Sequence, residues 1–539
     1  MVFIMSQIIV NDLTFSYDTS YDNIFEHVSF NIDSDWKLGF IGRNGRGKTT
    51  FLNLLQNKYE YSGSISSSVT FDYFPFQIKN EETKTLQIIK DTIAPFTQWE
   101  KEMEECLLQM DKKNSKQTLE ATKRYGEIQE LYQIHDGYMI EEFIEKELNS
   151  LKVSLSVLDR PFSTLSFGER TKIMLGALFL KKNNFLLIDE PTNHLDMKGR
   201  KILSDYLNTK KGFILVSHDR TFLEGCIDHV LSINKTNIEV QKGNYSSWYH
   251  NKELLDQYEL EREEQLKKDI ASLEKAARRT LNWSEKVEGT KIGQHVYDRG
   301  AIGHKAAKMM KRSKSIESRQ HQAINEKKEL LKNFEQVDSL KMNLLSFPKE
   351  RMIEAIDLSL YYDERKIISS VDFFLRKGER IALRGDNGTG KSTLLKLILG
   401  YNIKHTGEYY VAPSLKISYV SQDTSYLSGN LIDFAVKYGL DETIFKTVLR
   451  QLDFSREQFE KNIEEFSGGQ KKKVLLAKSL SEPAQVFLWD EPLNFIDVLS
   501  RVQIEDLILK YEPTMIFVEH DKVFSDKIAT KVLLLNQIC

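Results

Sequence analysis

Apolar positions along the chain follow two alternating patterns. Short runs rich in β-branched and aromatic residues, such as Phe185–Ile188 and Met515–Val518, alternate with longer stretches whose apolar residues recur at helical spacing. That alternation is the signature of an α/β domain on a mainly parallel sheet. The same punctuation then occurs twice, in the same order, at a spacing of roughly 345 residues. LTFSYD at Leu13 is repeated as LSLYYD at Leu358, GRNGRGKTT at Gly42 as GDNGTGKST at Gly385, and FPFQ ending at Gln77 as YVSQ ending at Gln422. LSFGE at Leu165 pairs with FSGGQ at Phe466, LLIDEPTNHLD at Leu186 with FLWDEPLNFID at Phe487, and VSHD at Val216 with VEHD at Val518. Each repeat predicts one domain, residues 1–248 and 346–539.

Two segments break the repeat. The first half carries about 44 residues more than the second between its glutamine segment and LSFGE. Trp99, Met103, Cys106 and Met110 stand there at helical spacing, so residues 85–148 or so read as an inserted helical arm. Residues 249–345 hold no strand-like run but two helical patterns. Leu266, Ile270, Leu273 and Ala277 form one, and Ile316, Ala323, Leu330 and Val337 step by seven in the other, with a glycine-containing segment between them. The pattern predicts an antiparallel helical hairpin with a tip near 280–315, and helices of ~30 residues would reach ~45 Å at 1.5 Å per residue.

Length and charge change this picture little. A chain of 539 residues exceeds one core, and a net charge of −3 points to no polyanion, so any nucleic-acid contact has to come from local clustering. Cys106, Cys226 and Cys539 show no CxxC spacing, which excludes a zinc or iron–sulfur framework and fits a reducing compartment. No apolar run approaches the ~20 residues of a membrane span. Met1 and Met5 are alternative starts, since the strand-like segment begins just after Met5.

The chemistry concentrates in the repeated motifs. The GxxxxGK[ST] pattern places a glycine-rich turn before a helix, so that backbone N–H groups wrap phosphates. It comprises Gly42, Asn44, Gly45, Gly47, Lys48, Thr49 and Thr50 in one half and Gly385, Asn387, Gly388, Gly390, Lys391, Ser392 and Thr393 in the other. Lys48 and Lys391 suit β- and γ-phosphates, while Thr49 and Ser392 offer hydroxyls to Mg²⁺. Each acidic strand end supplies one carboxylate for the metal, Asp189 or Asp490, and one to polarise water, Glu190 or Glu491. His218 and His520 follow apolar strands at matching places and could help to hold that water, and Tyr17 and Tyr362 could stack on adenine.

These motifs in this order, over both halves, resemble the ATP-binding-cassette ATPases. The resemblance implies two nucleotide-binding domains joined by the helical hairpin, with ATP and Mg²⁺ as cofactors and the cassettes paired head to tail within one chain, which would then work as a monomer. It adds Gln77 and Gln422 as phosphate and Mg²⁺ contacts. It also adds the signatures Ser166, Gly168 and Glu169, and Ser467, Gly468, Gly469 and Gln470, each closing on the ATP of the opposite half. Phe167 replaces the first glycine of one signature, Phe466 the leucine of the other, and Leu493 and Phe495 the threonine and histidine of EPTNHLD, so the two sites are expected to be unequal.

Two cassettes without a membrane segment, EPTNHLD, the arm and the hairpin resemble the F subfamily, translation factors of the cytoplasm. Lys275–Arg319 holds twelve Lys or Arg against four Asp or Glu. Lys305, Lys308, Lys311, Arg312 and Lys314 would line one helix for RNA, with Trp283, His295, Tyr297 and His304 near them to stack on bases. DRGAIGHKAAKMMKRSK at Asp298 is similar to the linker of factors that protect bacterial ribosomes from lincosamides, streptogramin A compounds and pleuromutilins. That resemblance implies entry of the hairpin into the ribosomal E site, contact with rRNA and P-site tRNA, and release of drug. A housekeeping factor for stalled ribosomes is the alternative. A transporter subunit, which would need a membrane partner, a repair ATPase and an ATP-gated scaffold are further readings.

Overall fold

The computed structural model describes residues 7–17, 23–110, 115–193, 195–233, 237–289, 318, 340–362, 365–386 and 388–535. The chain divides into two compact units: Met1–Ser246 together with Ser339–Cys539, and Ser247–Asp338.

The first unit contains both α/β halves. In the N-terminal half the central sheet runs in the order Thr70–Phe74, Asn184–Asp189, Phe213–Val216, Lys37–Ile41, His229–Ile233 and Ile238–Lys242, with only the last strand antiparallel. The C-terminal half orders Ile417–Val420, Val486–Asp490, Met515–Val518, Arg380–Arg384 and Lys531–Leu534, all parallel. Both therefore have the mainly parallel sheet expected from the apolar runs. A three-stranded antiparallel sheet accompanies each, centred on Gln7–Phe15 and on Arg351–Tyr362.

The runs Phe185–Ile188 and Met515–Val518, which suggested strands, are buried along their whole length, as are Phe213–Val216 and Val486–Asp490. Helices cover both faces of such strands, so functional groups emerge at the carboxyl ends, where the chain leaves the sheet. Trp489, fully buried, anchors one such end and donates from Nε1 to Ser479 Oγ at 3.0 Å. In the other half, Phe51 on the helix Lys48–Leu55 packs against Phe25, Phe30 and Phe40 with ring centroids 6.0, 5.7 and 5.6 Å apart. That packing fixes the first turn of the helix at the end of the strand Lys37–Ile41.

The inserted segment is helical, with Thr85–Ile93, Phe96–Met110, Ser115–Ile134 and Ile140–Ser150. Trp99 and Cys106 are buried and Met103 and Met110 half-buried, one face of a helix as their spacing predicts. In the second unit the helix Tyr245–Gly289 is described. It has 45 residues, about 68 Å at 1.5 Å each, rather than the ~30 expected, because neither glycine nor proline interrupts the sequence before Gly289. The predicted second helix of the hairpin and the tip residues Lys305, Lys308, Lys311, Arg312 and Lys314 lie outside the described residues. Among the described residues no helix is long and apolar enough to cross a membrane.

Candidate nucleotide sites

Each glycine-rich turn is folded by glycines that other residues cannot replace. Gly47 and Gly390 take φ values of 94° and 89°, and a Cβ on them would meet Ile24 Cγ2 at 2.5 Å and Ile367 Cγ2 at 2.7 Å. The turn carbonyls face inward and collect the lysine that follows. Lys48 Nζ donates to Gly42 O at 2.7 Å, Arg43 O at 3.1 Å and Asn44 Oδ1 at 3.4 Å, and Lys391 Nζ donates to Gly385 O at 2.9 Å and Asp386 O at 2.8 Å. Both lysines are buried, and burial lowers both pKa values against the pull of the neighbouring carboxylates. Asn387 lies outside the described residues.

The acidic strand ends arrive beside these turns. Thr49 Oγ1 donates to Asp189 Oδ2 at 3.2 Å, and Tyr73 Oη donates to the same oxygen at 2.8 Å. In the second half burial raises the Asp490 pKa against a hydrogen bond from Ser392, and Asp490 Oδ1 is buried without a partner. No group of three or more His, Cys, Asp or Glu side chains capable of holding a metal occurs among the described residues. A hydroxyl, one carboxylate and an oxygen still lacking a partner nevertheless fit Mg²⁺, which binds through few carboxylates and completes its shell with water and phosphate.

Glu190 and Glu491 take φ values of 49° and 48°, an unusual backbone for a residue with a side chain. Their surroundings differ. Glu491 accepts from Gln422 Nε2 at 2.9 Å, Asn494 Nδ2 at 2.6 Å and His520 Nε2 at 3.2 Å. Burial is outweighed there by His520, Lys472 and Asn494, which hold the carboxyl below its ordinary range. His218 Nε2 lies 3.3 Å from Glu190 Oε1 without hydrogen-bond geometry. Burial first, then Asp189, pushes Glu190 up to about 8, and burial, with Lys48 and Arg501 nearby, lowers His218 well below its ordinary value.

The two halves meet at these sites. Asn44 Nδ2 donates to Phe495 O at 2.7 Å, Asn44 N to Asp497 Oδ2 at 3.4 Å, and a Cβ on Gly469 would stand 3.4 Å from Asn44 Nδ2. The second signature thus abuts the first glycine-rich turn. On the opposite side Lys198 Nζ reaches Asp386 Oδ2 at 3.1 Å. Asp497, fully buried, is held well below the usual carboxylate range by Lys473 and Lys48 in spite of its burial.

The remaining predicted residues spread around this centre. Ser166 and Ser467 cap their helices, and Glu169 and Gln470, read as nucleotide contacts, close capping boxes on them: Ser166 N donates to Glu169 Oε2 at 2.9 Å and Ser467 N to Gln470 Oε1 at 2.8 Å. Tyr17 Oη shares a hydrogen bond of 2.8 Å with Thr50 Oγ1 and stands edge-on to Phe15 and Tyr59. Gln77 is exposed and Tyr362 strongly so. Tyr73, Asn494, Asp497 and Lys473 were not singled out from sequence. Asp497 could have been, since it closes FLWDEPLNFID where Asp196 closes its counterpart, whereas Tyr73 looks like any strand aromatic.

A family model described as "ABC transporter" matches residues 25–193 and 368–494. The "Energy-dependent translational throttle protein EttA" of Escherichia coli O6:H1 is 27% identical over 95% of this chain and 89% of its own length. The "Ribosome protection protein VmlR" of Bacillus subtilis is 27% identical over 97% of this chain and 85% of its own. Among solved structures, that of an archaeal ribosome recycling factor, aABCE1, with the stalk protein aP1 superposes with a TM-score of 0.57 at 17% identity, covering 97% of this chain and 87% of that one.

Proposed function

Because the chain belongs to the ATP-binding-cassette family, matched over most of both cassettes, we propose that this ATP hydrolase is a ribosome-binding factor of the F subfamily that protects the ribosome from antibiotics. The relatives that it matches over nearly its whole length support the F subfamily and association with the ribosome. In this reading two ATP molecules sit at the glycine-rich turns, held by Lys48 and Lys391 and by the backbone N–H groups around them. Glu190 and Glu491 polarise the attacking water, which His218 and His520 help to hold, His520 also orienting Glu491 through its 3.2 Å hydrogen bond. Thr49, Asp189 and Gln77 in one site and Ser392, Asp490 and Gln422 in the other would hold Mg²⁺, which when bound would supply charge neutralisation on the phosphates. The signature serines Ser166 and Ser467 complete the opposite site, so ATP favours the closed pair of halves and hydrolysis favours release. Closure then drives the basic segment around Lys305–Lys314 into the E site, toward rRNA and P-site tRNA, and drug leaves the peptidyl-transferase centre.

The observation that supports the paired-cassette reading is the meeting of Asn44 with Phe495 and Asp497, which brings residues of both halves to the turn that ends in Lys48, while the ribosome reading rests on the relatives. The similarity to EttA favours the second reading, a housekeeping factor for stalled ribosomes. Two experiments test these. The E190Q/E491Q chain is expected to bind ATP and sediment with ribosomes far more than the parent chain; equal sedimentation refutes the ribosome reading. A sensitive bacterium expressing the chain is expected to tolerate lincomycin or tiamulin. Unchanged sensitivity with abundant protein selects the housekeeping reading.

A further inference from the structure

Arg220 stands two residues beyond His218, yet its guanidinium belongs to a cluster in the other half. Its Nη2 bonds Glu505 Oε1 and lies 3.5 Å from Asp521 Oδ2. Glu505 Oε2 also accepts from Lys527 Nζ at 3.0 Å, and Asp521 Oδ2 from Arg501 Nη1 at 3.1 Å. The side chains of Arg220, Arg501, Glu505 and Asp521 are 8%, 7%, 0% and 0% exposed. Two acids and two arginines are thus enclosed in a nearly dry cluster that crosses between the halves, with Lys527, 41% exposed, at its edge.

The cluster reaches the site built on Lys48 through Arg501 and Arg220, and through Asp521, directly after His520, it also borders the other site. Arg501 and Glu505 are one turn apart on the helix Val498–Tyr511, whose N-cap is Asp497, and Asp497 is the residue that meets Asn44. Arg501 Nη2 further donates to Leu493 O and its Nε to Ile496 O, both at 3.0 Å, so the cluster also fixes the segment that carries Phe495.

The internal repeat offers a built-in comparison. With His218 set on His520 and Asp196 on Asp497, Arg220 corresponds to Lys522 and Glu505 to Ser204. Lys522 is exposed, and Ser204 donates to Phe222 O within its own half, so no acid stands where Glu505 would be. The pair described near the other site, Lys198 with Asp386, is 76% and 48% exposed. Exposed pairs of that kind hold little. Splitting the buried cluster, by contrast, leaves Arg220 without a partner before water can reach it, while Glu505 keeps Lys527 and Asp521 keeps Arg501, and the stranded guanidinium raises the barrier to separation on that side.

We propose that the Arg220–Glu505 pair is a one-sided latch, so that the site built on Lys48 stays closed while the site built on Lys391 opens and reloads. The inference rests on the reading of two nucleotide sites, and it adds that they open at unequal rates. Arg220 and Glu505 act by positioning the halves and have no part in the chemistry.

Single-molecule energy transfer across each site tests this in the full chain, with its three cysteines replaced by alanine. Dyes at Lys58 and Lys461 flank one site and dyes at Asp159 and Asn402 the other, all exposed positions. Without nucleotide, opening excursions are expected to be at least about tenfold rarer across the Lys48 site. In R220L/E505L, which removes both charges, the two rates are expected to agree within about twofold. E505Q keeps an acceptor in the same volume, should give an intermediate ratio, and serves if the double variant does not fold. Equal rates in the parent chain, or a tenfold ratio that survives in R220L/E505L, overturn the latch. Addition of ATP is a separate arm: closed periods that ATP fails to lengthen at either site count against the nucleotide reading, while the ratio without nucleotide still judges the latch.

Discussion

Alanine at Gly469 is expected to block closure of the site built on Lys48, whereas alanine at the adjacent Gly468 is not. A Cβ on Gly469 would lie 2.7 Å from Phe495 O and 3.4 Å from both Asn44 Nδ2 and Phe495 Cβ. The first contact is about 0.6 Å inside the carbon–oxygen approach of 3.3 Å or more found in packed backbones. Phe495 belongs to the same half as Gly469, so its carbonyl can yield while the halves are apart, but in the closed pair it is held by Asn44, from which it accepts at 2.7 Å. Losing that hydrogen bond costs about 1 kcal/mol, and overpacking about 1–3 kcal/mol more. A penalty of about 2–4 kcal/mol lowers the closure constant by about 30-fold to about 1,000-fold. At Gly468 the nearest atom would be a Phe495 ring carbon at 3.7 Å, an ordinary contact, so G468A should stay within about threefold of the parent. The assay is the ATP retained per chain after rapid gel filtration in the E190Q/E491Q background. G469A is expected to lose one of two bound ATP molecules. Equal losses in G468A and G469A, or full retention in G469A, would refute the steric argument.

Three further outcomes follow from the geometry. Y73F removes the 2.8 Å bond to Asp189 Oδ2 and leaves Thr49, so half-saturation by Mg²⁺ in nucleotide binding should rise about fivefold with little change in binding measured without Mg²⁺. N44A should weaken ATP-dependent closure about tenfold, read as faster nucleotide release, since it deletes the 2.7 Å bond to Phe495 O. Asp521 and Asp497 are both held below the ordinary carboxylate value of 3.8 by buried cations. A depressed acid contributes stability above its unfolded pKa and loses it as pH falls through the folded one, so the thermal midpoint should drop as pH is lowered below about 3.8, with a shallower slope in D521N.

Much of this was legible in the chain because the relevant rules are local. The turn glycines announce themselves by spacing, and the buried strands by uninterrupted apolar runs ending in Asp-Glu. The same logic clarifies a departure that looked damaging. Phe167 occupies the position equivalent to Gly468, where the second half has room for a side chain, while Gly168 matches Gly469, where it has none. Phe167 itself is 66% exposed, with the Arg170 guanidinium 5.7 Å from its ring centroid. Glu169 and Gln470 carry a structural role beside the one read from the sequence, since a signature residue three places after a capping serine also completes the helix start. Contacts between residues hundreds of positions apart were out of reach. Asn44 with Phe495 and Arg220 with Glu505 depend on how two folded halves meet, and no periodicity encodes that. The length of the helix from Tyr245 was underestimated because the seven-residue pattern begins after the helix does.

The backbone at Glu190 and Glu491 has an evolutionary consequence. Each N–H is taken by the last carbonyl of the histidine strand, Val216 O at 2.9 Å and Val518 O at 3.0 Å, and each φ lies where glycine and asparagine are at ease. Replacement by either would relax the local chain while abolishing the carboxylate proposed to polarise water. Shape at these two positions is therefore easier to keep than chemistry. A lineage of such proteins can drift, by one substitution per half, from a turnover machine to a switch that binds ATP and never resets.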